Sequence, residues 1–158
     1  GIINKLPMSF IYSCCCCFTE DPLKDATWEN TKPFVPQISS GKVIKVYDGD
    51  TITIASVLDN ADPYEIYRFS VRLLGIDTPE MKSHYNNEKE LAHKAQIALS
   101  EQILGKMVTL TQVSQEKYGR ILANVIYNGK NMNEWMIEQG HAIVYDGGKK
   151  EIPPMWRT

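Results

Sequence analysis

Past Gly41 the chain alternates between two hydrophobic periods. Val43 to Tyr47 and Thr51 to Val57 are β-branched runs, the second alternating Thr with Ile. The Asp48-Gly49 pair between them predicts a hairpin turn. Asp59 to Pro63 reads as a second turn. Ile66 to Leu74 alternates again, with Tyr67, Phe69, Val71 and Leu73 on one face and Arg68, Ser70 and Arg72 on the other. The period then lengthens. Between Asn86 and Leu104, Leu91, Ala95, Ala98, Leu99 and Gln102 or Ile103 keep helical spacing, and Gly105 supplies a stop. Met107 to Val113 and Arg120 to Tyr127 return to strand patterning, followed by an Asn128-Gly129 turn. Asn131 to Glu134 resembles a capping box that opens a short helix ending at Gly140, with Met132, Trp135 and Met136 as its core stripe. Ala142 to Tyr145 reads as a final short strand. Five short strands with a helix between the third and fourth predict a mainly β fold with two helices, a five-stranded Greek-key barrel.

Composition narrows the class. At 158 residues the chain supports one domain and a tail. Seventeen Lys and Arg against nineteen Asp and Glu exclude a broad basic coat, so polyanion binding must rest on local placement of cations. The segment from Thr19 to Gly41 carries Pro22, Pro33 and Pro36 without periodicity and reads as a linker. All four cysteines are consecutive, Cys14, Cys15, Cys16 and Cys17, which suits neither a disulfide framework nor a zinc site. With Phe10, Ile11, Tyr12 and Phe18 beside them they are candidates for S-acylation and membrane attachment. A plain tail and a cleaved signal are the other readings, so localisation stays open between cytoplasmic and membrane-associated, with secretion the weaker reading.

The chemistry is in the acids and arginines. Asp48 and Asp50 flank Gly49 at the mouth of a strand, and Asp77, Thr78, Pro79 and Glu80 follow the strand Val71 to Ile76. Two aspartates at strand ends plus an exposed carbonyl make a hard-oxygen site suited to calcium. An EF-hand fails, because its sixth position counted from Asp48 is Thr53 and its twelfth is Asp59. Taken alone, each acidic motif is better explained as a turn or a helix approach. Arg72 lies five residues before Asp77, and Arg120 opens another strand after Gly119. Phosphodiester hydrolysis needs this inventory: a cation on a phosphoryl oxygen, guanidinium groups on the five-coordinate charge, and a carboxylate that orients water. The bland alternative for each arginine is an ion pair, for instance with Asp77 or Glu116. His84, His93 and His141 are scattered without zinc spacing.

These segments together resemble the staphylococcal nuclease family: Val46 to Thr51 (VYDGDT), Val71 to Glu80 (VRLLGIDTPE), Lys117 to Ala123 (KYGRILA) and Met132 to Gly140 (MNEWMIEQG). The resemblance implies a barrel of the oligonucleotide-binding (OB) type that hydrolyses DNA and RNA with calcium, leaving 3′-phosphate ends, with single strands favoured and no obligate protein partner. It implies Asp50 and Asp77 as metal carboxylates, Thr78 as a ligand through its carbonyl, and Glu80 as the residue that positions or deprotonates water. Arg72 and Arg120 match the phosphate clamps, Lys117, Tyr118 and Tyr145 the substrate-contacting positions, and Asp48 a supporting acid behind the metal. The corresponding division is a Cys-containing tail and linker over 1–40, the nuclease-like domain over 41–146 and a C-terminal tail over 147–158. The rival function on the same barrel is a non-catalytic nucleic-acid-binding module, tethered to a membrane if the cysteines are acylated. Two departures stand out. Residues 41–150 carry 13 Lys and Arg against 14 Asp and Glu, whereas the bacterial enzyme is basic. The chain also leaves little room after Tyr145 for that enzyme's long C-terminal helix.

Overall fold

Strand alternation drives the barrel. In β1 (Ser40–Val46) and β2 (Thr51–Ser56) the residues Val43, Val46, Ile52 and Ile54 point inward and are buried. β3 (Tyr67–Leu73) contributes Val71 and Leu73 to the same interior. The two-residue β4 (Ile76–Asp77) leads to helix α1 (Asn86–Ile103). β5 (Met107–Gln115) and β6 (Ile121–Tyr127) follow, then β7 (Lys130–Asn131), α2 (Met132–Glu138) and β8 (Ile143–Val144). This computed structural model describes residue 21, residues 23–116 and residues 119–157. The chain divides into two units, residues 1–32 and 33–158. In the first, the described residues form turns, with the Thr27 amide donating to Asn30 Oδ1 at 2.8 Å. Cys14 to Cys17 lie outside the described residues.

In the second unit β1 pairs antiparallel with both β2 and β5, β2 with β3, and β5 with β6. A parallel pairing of β3 with β6, Val71 opposite Ile121 and Leu73 opposite Ala123, closes the five-stranded barrel. Irregularities in β1 between Val43 and Lys45 and in β5 between Thr111 and Ser114 supply the curvature that closure needs. Gln112 sits there with φ of 52°. The fold is the expected OB-type barrel with two helices.

Helix α1 turns a slightly different face inward than its periodicity predicts. Ala92, Ala95, Leu99 and Ile103 are buried, while Leu91 and Ala98 are only half-buried. The stripe begins one turn earlier on a charged residue, Glu88, whose role lies at the site. α2 matches its expectation: the Asn131 side chain accepts from the Asn133 amide at 3.0 Å, and Met132 and Met136 enter the core. Beyond Tyr145, Trp156 in a 3-10 turn (Pro154–Trp156) is buried and packs near α1, where the Asn87 Nδ2 donates to the Met155 carbonyl at 2.9 Å. Among the described residues no helix is long and apolar enough to cross a membrane.

Candidate active site

The acidic loop is held by backbone and by a close approach. The Tyr47 amide donates to the Thr51 carbonyl at 2.9 Å, and the Asp50 amide to Asp48 Oδ1 at 3.1 Å. Gln96 on α1 donates to the carbonyls of Val46 and Tyr47 at 3.1 and 3.0 Å, fastening the loop to the helix. A Cβ on Gly49 would sit 2.8 Å from Ala95 Cβ and 3.0 Å from Thr78 Cγ2. Glycine is required here because the loop presses on α1 and on the segment after β4. This contact brings the two acidic motifs together.

Strand register does the rest. Thr51 pairs with Arg72 across β2 and β3, and the Leu73 amide donates to the Asp50 carbonyl at 2.8 Å. Arg72 therefore emerges beside Asp50, five residues before Asp77. Its Nη2 lies 3.2 Å from Asp50 Oδ2 and 3.5 Å from Asp77 Oδ1. Arg72 falls on the polar face of β3, as its alternation predicts, yet is buried because these acids and an aromatic enclose it. That aromatic is Tyr145, whose ring centroid lies 5.5 Å from the guanidinium carbon. Antiparallel pairing of β4 with β8 and a bond from the Tyr145 amide to the Gly75 carbonyl at 2.9 Å place the ring there.

The segment after β4 carries Thr78, Pro79 and Glu80. Its backbone is pinned by Glu88, which is 1% exposed. Glu88 Oε1 accepts from the Glu80 amide at 3.1 Å, and its other oxygen accepts from the Ser83 hydroxyl. Glu80 itself projects outward, and its Oε1 receives Lys150 Nζ at 2.6 Å. The same ammonium lies 2.9 Å from Asp77 Oδ1. Arg120 faces the cleft from the start of β6 and donates through Nε to Glu116 Oε2 at 2.5 Å.

Burial and mutual repulsion set the protonation of this group. Burial, then the charge of Asp50, pushes the Asp48 carboxyl up to about 6. Burial also raises Asp77, against the opposing effect of the Lys150 ammonium. Burial works to lower Lys150, but its hydrogen bonds to Glu80 and Asp77 carry it above the usual lysine range.

A cleft of about 360 Å³ collects Asp48, Asp50, Arg72, Thr78, Glu80, Arg120 and Tyr145. Asp77 does not itself line this cleft but touches two residues that do, Arg72 and Lys150. Lys117 and Tyr118 lie outside the described residues. The ion pairs anticipated for the arginines are present, Arg72 with Asp77 and Arg120 with Glu116, but both line the cleft. Lys150, Glu88 and Tyr47, which also lines the cleft, are the residues that sequence reasoning missed. Glu88 alone left a sequence signal: an acid where the inward stripe of α1 extrapolates one turn back.

The donor set fits a hard divalent cation. Asp50 and Asp77 converge on one guanidinium nitrogen, so both carboxylates can reach one cation, and among the described residues no histidine or cysteine lines the cleft. Among the described residues no group of three or more His, Cys, Asp and Glu forms a cluster of metal-ligand type. Two carboxylates with a backbone carbonyl such as that of Thr78, and water completing the shell, still suit calcium or magnesium.

Comparison with known proteins shows the family. The model of the family described as staphylococcal nuclease homologue matches residues 70–154. An uncharacterized endonuclease of Escherichia coli is 37% identical over 107 residues, 67% of this chain and 61% of that protein. An uncharacterized protein of Bacillus anthracis is 36% identical over 107 residues, 66% of this chain and 46% of its own length. A probable endonuclease of Eremothecium gossypii is 31% identical over 96 residues, 54% of this chain and 35% of that protein. The chain thus spans less than two thirds of the length of each of these relatives.

Proposed function

Because this chain belongs to the staphylococcal nuclease family, we propose that it is a calcium-dependent nuclease that hydrolyses phosphodiester bonds of DNA and RNA with little sequence specificity. The observation that carries the reading is the convergence of Asp50, Arg72 and Glu80 in one cleft, with Asp77 in contact with Arg72. The names of its relatives, two of them endonucleases, support it.

Asp50, Asp77 and the Thr78 carbonyl are the groups that would hold the metal, with Asp48 behind them. The metal would supply charge neutralisation at a phosphoryl oxygen and a bound water. Arg72, held on the Tyr145 ring and against Asp50 and Asp77, presents its remaining guanidinium N–H groups to the phosphate, a placed donor of the kind that transition-state stabilisation requires. Arg120 reaches the same phosphate after exchanging Glu116 for a phosphate oxygen. Glu80, exposed at the mouth of the cleft, orients a water for in-line attack and accepts its proton, and the 5′-oxygen departs to leave a 3′-phosphate end. Tyr145, with Lys117 and Tyr118, contacts the nucleotide.

The test is digestion of single-stranded DNA and RNA with calcium, with magnesium and with chelator. Cleavage is expected with calcium and not with chelator, and Arg72→Ala or Glu80→Gln is expected to lower the rate on the order of 10²-fold or more. Wild-type rates in both variants overturn the assignment. Binding of the strands with no cleavage under any metal points instead to a non-catalytic module on the same barrel.

A further inference from the structure

We propose that Lys150 is a tethered cation that competes with the divalent metal for Asp77 and holds Glu80 against the acid site until metal binds. The proposal rests on the metal-dependent reading of the cleft. It arises from a contact between segments that are 70 residues apart in sequence, Glu80 and Lys150.

Asp77 Oδ1 carries two cations, Lys150 Nζ at 2.9 Å and Arg72 Nη2 at 3.5 Å. A metal held by Asp77 adds a third positive charge at the same carboxylate, and one of the two resident cations has to withdraw. Arg72 is enclosed, with its side chain 11% exposed and lying on the Tyr145 ring. Lys150 is 37% exposed and enters from solvent on a flexible stem. Displacement therefore falls on Lys150. Its second partner, Glu80 Oε1 at 2.6 Å, belongs to the residue assigned to water, so withdrawal of the ammonium also frees that carboxylate.

The contact is built into the fold. Upstream of Lys150, the Tyr145 hydroxyl donates to the Gly148 carbonyl at 2.7 Å and the Gly148 amide donates to Asp146 Oδ1 at 2.9 Å. Downstream, Arg157 Nε donates to the Ile152 carbonyl at 2.8 Å and Trp156 is buried. Lys150 lies between these two anchors and lines the cleft. Because coupling between two cations at one carboxylate is reciprocal, removing the ammonium must tighten metal binding, and metal must loosen the ammonium contact.

Isothermal titration of the full chain with calcium chloride tests this, comparing wild type, Lys150→Met and Lys150→Arg. The methionine variant is expected to bind calcium roughly tenfold more tightly, and the arginine variant to stay near wild type. In chelator the methionine variant is expected to melt at a lower temperature than wild type, because Asp77 keeps its burial and loses a counter-charge. Its calcium-induced rise in melting temperature is then the larger one. Equal or weaker calcium binding by Lys150→Met overturns the proposal while leaving the metal site standing. If the wild type binds no calcium, magnesium or manganese, the metal-dependent reading falls, and this proposal with it.

Discussion

At the residue scale the site is a problem of crowded carboxylates. Asp48, Asp50, Asp77 and Glu80 share one region with Arg72 and Lys150 as their counter-charges. Asp48 bears the cost, its carboxyl pushed up to about 6 from 3.8 by burial and by Asp50. A raised folded value means that this group adds stability below its unfolded value, and that the contribution is lost as pH rises through 6. Asp48→Asn keeps an oxygen to accept from the Asp50 amide but cannot ionise. In chelator it is therefore expected to be more stable than wild type at pH 8, on the order of 1 kcal/mol, with the difference closing by pH 4. Denaturant melts at the two pH values check this. A constant difference across the range would assign the effect to packing instead.

At the scale of elements, α2 does more than fill the core. Its Asn133 is buried, with Oδ1 accepting from the Val125 amide at 3.0 Å. Its Nδ2 donates to the Leu74 carbonyl at 2.8 Å and the Ala123 carbonyl at 3.2 Å. One side chain thus joins β6 to the loop that leads from Arg72 to Asp77. Asn133→Leu takes this partner from the Val125 amide and the Leu74 carbonyl, while the Ala123 carbonyl still accepts from the Leu74 amide at 2.9 Å, and is expected to destabilise by about 2 to 3 kcal/mol in urea unfolding. The element order was legible from alternation and turn residues, since each strand needs only local information. Asn131 was legible as a cap for the same reason. Asn133 and Lys150 were not, because each is polar at a position whose local pattern assigns it to solvent, and Glu88 showed only its place on the inward stripe of α1 and not what it binds. Their partners lie on other elements, as with Asn133 and Leu74, 59 residues apart. Gly49 has the local signature of a turn former, but its close approach to Ala95 and Thr78 is visible only once α1 has packed. Asp50, Asp77, Arg72 and Glu80 were recognisable because whole motifs surround them, whereas no motif surrounds Lys150.

At the scale of the whole molecule, a net formal charge of −2 removes long-range attraction for a polyanion. On the proposed nuclease function, strand binding must then come from the few cations in the cleft, and three of these are already engaged by acids, Arg72 by Asp50 and Asp77, Arg120 by Glu116, and Lys150 by Asp77 and Glu80. Each phosphate neutralised on a single strand releases counterions and contributes a slope of about −0.7 to the dependence of log affinity on log salt. With Arg72 and Arg120 as the contacts, the slope is expected near −1.5, shallow for a nucleic-acid binder. Fluorescence anisotropy of a labelled single-stranded oligonucleotide with Glu80→Gln, titrated over sodium chloride concentration, measures it without cleavage. Adding Arg120→Ala is expected to lower the magnitude by about 0.7, one phosphate contact. A slope of −4 or steeper would reveal about six contacts and place much of the binding outside the cleft. An unchanged slope on losing Arg120 would mean that Glu116 keeps this arginine from the phosphate even in the complex, leaving Arg72 as the sole clamp.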